Sequence, residues 1–259
     1  MPPSPNEPAL IRFVDASGVR HVHLLRPDKQ NALTSGMMED IAAAASGAAA
    51  AGNTLLVISA PGARNFCAGA DLVEFSSGQA GLAAQEEGLH AMIHALHNLP
   101  LPVLVLAQGK ALGAGGLLVT LADHTLVSDN FAFGFPEIQL KLYPVLMHAV
   151  LLDRISNAQA QQLCGSGRIL NAEQAQAMGF VSEVLPSASF EAMAAQRVAQ
   201  YAGRAGALAI GKRAARTVQG AEVFQRNLGL LEALGKEMMD GSAARAISEF
   251  RAQQGRTSA

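Results

Sequence analysis

Apolar positions along this 259-residue chain change their spacing in a regular way. Residues 9–15 and 19–26 read as short β-like stretches around Ala16-Ser17-Gly18, which has the composition of a hairpin turn. A polar segment, Arg26-Pro27-Asp28-Lys29-Gln30-Asn31, leads into an alanine-rich helical pattern through residue 51. Residues 54–60 form an unbroken apolar run closed by Pro61-Gly62, as expected of a strand buried on both faces. Helical spacing returns over 85–99 and stops at Pro100, because a residue preceding proline disfavours helix. A second apolar run, 102–107, closes on Gln108-Gly109. Alternation of such strands with helices predicts an α/β fold with parallel pairing. From about residue 158 the pattern is mainly helical, interrupted by a β-like stretch at 180–185, and from about 207 it is wholly helical. The expected organisation is a core over 1–203 and a helical region over 204–259. No internal repeat of 20–50 residues is visible.

Composition narrows the function classes. Half of the residues are hydrophobic but only 5% are aromatic, none is Trp, and 49 are Ala. Setting alanine aside leaves an ordinary complement of larger apolar side chains for a globular protein, too small for a membrane bundle. No apolar run nears the ~18 residues of a membrane span. Met1-Pro2-Pro3-Ser4-Pro5 lacks the features of a secretory signal, so a soluble cytoplasmic protein is expected. The 19 basic and 21 acidic residues give a net charge of −2 and no excess for phosphate contacts. With so few aromatics for base stacking, nucleic acid is not an expected partner. Cys67 and Cys164 support neither a disulfide framework nor a cysteine metal site.

Three features carry candidate chemistry. His90, His94 and His97 fall at i, i+4 and i+7 of one predicted helix, a spacing able to converge on a metal. That helix supplies no carboxylate to complete a catalytic site and His-Glu-x-x-His is absent, so a solvated or interfacial face is expected and no metal site. Next, two glycine-bearing loops each follow a buried apolar run: Asn65-Phe66-Cys67-Ala68-Gly69-Ala70-Asp71-Leu72 and Gly109-Lys110-Ala111-Leu112-Gly113-Ala114-Gly115-Gly116. The second fits neither Gly-x-Gly-x-x-Gly nor Gly-x4-Gly-Lys-Ser/Thr. Both loops combine glycine's backbone freedom with a helix N-terminus that favours negative charge, and Asp71 is placed to cap a helix. A plain strand-to-helix turn accounts for either alone; the pair suggests two backbone N–H donors around one anionic oxygen. Lastly, Glu137 stands in Phe133-Gly134-Phe135-Pro136-Glu137, near Phe131, Ile138 and Leu140. Apolar surroundings raise a carboxyl pKa toward the range useful for general acid–base work. A loop glutamate paired with a neighbouring base is the alternative.

In order and spacing, five pieces of the chain resemble the enoyl-CoA hydratase/isomerase (crotonase) family over roughly residues 9–185. They are Leu25-Arg26-Pro27 with Asn31-Ala32-Leu33, the stretch from Phe66 to Leu72, the stretch from Ala111 to Gly116, Ala122-Asp123, and Phe133-Gly134-Phe135-Pro136-Glu137. The resemblance implies a spiral of ββα units with a C-terminal helical region that builds trimers, often stacked into hexamers. It implies an acyl-coenzyme A thioester as substrate and no cofactor beyond that coenzyme A. It maps the two donors to the thioester oxygen onto the N–H groups of Ala70 and Ala114, and a catalytic glutamate onto Glu137. Ala68, Asp71 and Leu72 are assigned by it to coenzyme A binding. Arg26 and Lys29 are candidates to meet the coenzyme A phosphates, solvated loop charges being the alternative.

Two departures bear on the reaction. Family hydratases usually carry a second glutamate where this chain has Leu117, and leucine neither holds nor deprotonates water. One glutamate with leucine at the other position resembles the branch that shifts a 3-enoyl double bond to the 2-position, which a dry site would favour. The second departure is Leu140-Lys141-Leu142-Tyr143-Pro144-Val145-Leu146-Met147, bulky where the family is glycine-rich, which predicts a reshaped acyl pocket. Hydration or dehydration with an atypical second group is the alternative reaction. A non-catalytic binding protein of the same fold is the alternative class.

Overall fold

Strand β1 (Ile11–Ala16) and strand β2 (Val19–Leu24) pair antiparallel around Ser17 and Gly18, both at positive φ. These coordinates are a computed structural model, and they describe residues 9–62 and 64–238. β2 ends at Leu24 because Pro27 starts a 3-10 turn at Pro27–Lys29, where the pyrrolidine ring fixes φ. Helix α1 (Ser35–Ala48) begins at Thr34, whose hydroxyl accepts from the Met37 amide. Five consecutive buried residues make β3 (Leu55–Ser59), as the apolar run predicts. There follow α2 (Leu72–Phe75), α3 (Gln79–Asn98) and β4 (Val103–Ala107). α3 starts six residues earlier than the sequence reading places it.

Beyond Gly109 lie short elements that apolar periodicity does not resolve: β5 (Lys110–Leu112), α4 (Ala114–Leu121), β6 (His124–Ser128) and β7 (Ala132–Gly134). A 3-10 turn at Pro136–Leu140 precedes α5 (Val145–Leu151), α6 (Asn157–Ser166), β8 (Ile169–Asn171), α7 (Ala172–Ala177) and β9 (Glu183–Leu185). Of the β-like stretch 180–185 only the second half is strand; Phe180 and Val181 instead drop into the core from a loop.

Two sheets result. The larger runs β1-β2-β3-β4-β6-β9 and is parallel from β2 onward; the smaller runs β5-β7-β8. Single parallel bridges, Leu33 with Ala70 and Cys67 with Ala111, extend the smaller layer across two further segments. The middle turns therefore lay down a strand in the large sheet, then a short strand or bridge in the small layer, then helix. This is the expected spiral of ββα units.

The chain continues as α8 (Phe190–Ala202), α9 (Ala205–Gln219) and α10 (Ala221–Met238). α9 is tied to the large sheet by Lys212, which is buried and donates to the Leu101 carbonyl (2.9 Å) while pairing with Asp123 (2.7 Å). α10 turns back onto α5, and its Phe224 stacks on His97 of α3 with ring centroids 3.5 Å apart. Phe224 and Leu228 join the main apolar core. Residues 239–259 of the helical region, and the proline-bearing first residues, lie outside the described ones. No described helix is long and apolar enough to cross a membrane.

Candidate active site

The two glycine loops meet where Cys67 and Ala111 pair. The Cys67 amide donates to the Lys110 carbonyl (2.9 Å), and the Leu112 amide to the Cys67 carbonyl (3.0 Å). Three residues beyond each paired residue lies a candidate donor, Ala70 on one strand and Ala114 on the other. In both loops the preceding glycine has positive φ, 116° at Gly69 and 51° at Gly113. A Cβ on Gly69 would stand 3.3 Å from the Leu112 carbonyl oxygen and 3.9 Å from the Ala114 nitrogen, so glycine is what lets these loops touch. Neither donor amide is engaged by a protein acceptor among the described residues. Leu33 bonds to either side of Ala70, through the Gly69 carbonyl and the Asp71 amide, and leaves the Ala70 N–H out. Ala114 opens α4, where the first amides have no partner in the helix ladder.

Glu137 sits at the start of the 3-10 turn Pro136–Leu140 and is aimed at these donors. A Cβ on Gly113 would lie 2.7 Å from its Oε1. Oε2 is buried and has no hydrogen-bond partner in the protein. Burial pushes this carboxyl up to about 7. Ala70, Ala114 and Glu137 all face one cavity of about 320 Å³. Its other walls are largely apolar side chains of α3 and of the segment 140–147, with Glu232 and Gly235 of α10 completing them. Two free N–H groups beside a carboxyl that titrates near neutrality are equipped to hold a carbonyl oxygen while a proton leaves the adjacent carbon.

A family model described as enoyl-CoA hydratase/isomerase matches residues 15–238. The chain belongs to that family. It is 28% identical over 197 residues to enoyl-CoA delta isomerase 2 of Rattus norvegicus, a match covering 74% of this chain and half the length of the rat protein. It is 30% identical over 183 residues to a protein of Rhodobacter capsulatus named probable enoyl-CoA hydratase, covering 70% of each. Among solved structures, an enoyl-CoA hydratase from Mycobacterium avium subsp. paratuberculosis superposes with a TM-score of 0.81 at 25% identity, covering 95% of this chain and 96% of that one.

Relative to the family pattern, the structure sorts the remaining candidates. Leu117 is fully buried in the core and is not among the cavity's lining residues; the leucines that line it come from α2, α3 and the segment 140–147. Ala68 and Leu72 line the cavity. Asp71 does not: it is buried, accepts from the Val73 (2.7 Å) and Glu74 (3.1 Å) amides, and so caps α2. Its other oxygen pairs with Arg26, whose guanidinium also donates to the Ala32 carbonyl. Arg26 thus fixes the donor loop from behind and is not a free phosphate ligand. Lys29 is exposed on its turn. The cleft beside that turn is lined by Pro27, Gln30, Arg64, Asn65 and Lys110, so two cations missed by the sequence reading, Arg64 and Lys110, are grouped there by the fold. Gln85 was also missed. Its amide donates to the Leu33 carbonyl and to Glu74, while Oε1 is buried and unpartnered on a residue that lines the cavity.

Proposed function

We propose that this chain shifts the double bond of a 3-enoyl-CoA thioester to the 2-position, with Glu137 as the single proton carrier. The observation that carries the reading is Glu137: one unpaired carboxyl against the donor pair, with leucine, buried and outside the cavity, at the position of the second hydratase glutamate. In this scheme the thioester oxygen accepts from the Ala70 and Ala114 N–H groups. Glu137 removes a proton from C2 as charge moves onto that oxygen, giving a dienolate. The same carboxyl then returns the proton at C4, and the donors release a neutral carbonyl. Donors pointing at the oxygen where charge develops stabilise the transition state more than the ground state. Arg64 and Lys110 supply positive charge for the coenzyme A phosphates.

Hydration is the second reading, and one observation favours it. Tyr143, which lines the cavity, hydrogen-bonds His148 Nδ1 through its hydroxyl (2.6 Å), and His148 Nε2 lies 2.8 Å from Asn157 Oδ1. This chain of polar groups is an atypical place to hold a water. Incubation with 3-enoyl-CoA and 2-enoyl-CoA separates the two: isomerisation yields 2-enoyl-CoA only, whereas 3-hydroxyacyl-CoA formed at an equal or greater rate overturns the single-carboxyl reading. Self-association is proposed as well, because Ile210 and Val218 of α9 and Leu230 and Leu234 of α10 are exposed apolar side chains. Sedimentation of a trimer or hexamer supports it; a monomer at micromolar concentration does not.

A further inference from the structure

Two of the three histidines on α3 converge with a carboxylate from another helix, α10. His90 and His94, one helical turn apart, share a face. α10 brings Glu232 to that face, with its Oε1 2.9 Å from His90 Nδ1. One ligand atom from each of His90, His94 and Glu232 lies within 4.8 Å of the other two, and no other trio of His, Cys, Asp or Glu among the described residues converges this closely. His90 Nε2 is buried and has no hydrogen-bond partner. The third histidine, His97, faces elsewhere, stacked on Phe224 and 3.6 Å from Asp153.

We infer that His90, His94 and Glu232 bind a divalent transition-metal ion, Zn²⁺ being the best match, which fastens α10 to α3 at the cavity wall. Zinc takes imidazole nitrogen at about 2.0–2.1 Å and carboxylate oxygen at about 2.0–2.2 Å in a tetrahedral shell, so ligand atoms stand roughly 3.3 Å apart. Small rotations of side chains already half-buried at this spot reach that distance. Two imidazoles and one carboxylate select a borderline ion such as Zn²⁺ over Mg²⁺ or Ca²⁺, which prefer all-oxygen shells. Water completes the fourth position. Metal entry replaces the contact between His90 Nδ1 and Glu232, because the ring nitrogen and the carboxylate oxygen must both turn lone pairs to the ion. Glu232 lines the cavity, so a metal here would fix the wall contributed by the last described helix.

The test uses the untagged full chain, stripped with a chelator, dialysed and titrated with Zn²⁺. The expected result is one Zn²⁺ bound per chain with a rise in Tm, and loss of binding in His94→Gln that exceeds the roughly 10–100-fold cost of losing an outer partner of a metal ligand. His97→Gln is expected to bind as the parent does. Should His94→Gln lose its fold, Glu232→Gln is measured in its place, and Co²⁺ added to the parent chain is expected to give the intense visible bands of a tetrahedral nitrogen and oxygen site. Absence of Zn²⁺ binding by the folded parent, or equal affinity in the ligand variants, overturns the inference.

Discussion

Glu137 is held in a state that its own ionisation opposes. The folded chain keeps a proton there up to about pH 7, whereas an exposed glutamate releases it near 4.5. Ionisation therefore costs stability progressively as pH rises through that window, about 3 kcal/mol in all. Catalysis needs the ionised form, so kcat/KM should rise with pH and level off above about 7. Glu137→Gln should abolish turnover and, above pH 7, unfold at higher denaturant than the parent; a variant that keeps full activity removes Glu137 as the base. A second prediction tests the donors. Substituting the side chain of Ala114 leaves its N–H in place, but Ala114→Pro deletes it at the first position of α4, where proline suits a helix. A loss of about 10²–10³ in kcat with retained circular dichroism is expected. The place of Glu137 at the cavity is legible in the sequence because its motif is contiguous. Arg26 was misjudged because its partner, Asp71, lies 45 residues away and no local pattern announces the pair.

Single elements show the same division between local and distant causes. β3 and β4 were readable from unbroken apolar runs, whereas β5, β7 and β8 have three residues each, too few to display a period of two. α2 is only four residues long and depends on its cap and on Glu74, which accepts from the Ser35 amide (2.8 Å) and thereby ties α2 to α1. Asp71→Ala removes the cap and strands Arg26. The expected cost exceeds the roughly 1 kcal/mol of a lost cap, measured by urea unfolding, together with a lower kcat/KM as the loop bearing Ala70 loosens. Gly113→Ala addresses the loop directly. Its Cβ would meet Glu137 Oε1 and its φ is unfavourable for a side chain, so activity should fall sharply with little change in the core.

At the scale of the whole molecule, the C-terminal helices are held both by apolar packing and by buried polar contacts: Phe190, Ala194 and Val198 of α8 form a second apolar cluster against the large sheet, Phe224 and Leu228 of α10 join the main core, and α9 is tied down through Lys212. Burial lowers the Lys212 ammonium to about 8, so it remains mostly charged at neutral pH and relies on Asp123. Lys212→Met should destabilise by about 1–3 kcal/mol in chemical denaturation, because the Leu101 carbonyl loses its buried donor and Asp123 its direct ion pair, Arg154 and Arg216 remaining close to that carboxylate. The run 122–123 was noticed in sequence, but its partner was not, since residue 212 sits in a helical stretch whose facing surface only the fold defines.

The pairing of Cys67 with Ala111 has a consequence for how such a catalyst can change. Neighbouring strands stand about 4.7–4.9 Å apart whatever side chains they carry. Ala70 and Ala114 each lie three residues past that pairing, so the gap between the two donors is set by backbone, the repeat of the sheet and the turns at Gly69 and Gly113, rather than by the side chains that line the cavity. The walls supplied by α3, α10 and the segment 140–147 carry no such constraint. Those side chains can therefore be exchanged while the backbone spacing of the two N–H groups is inherited unaltered.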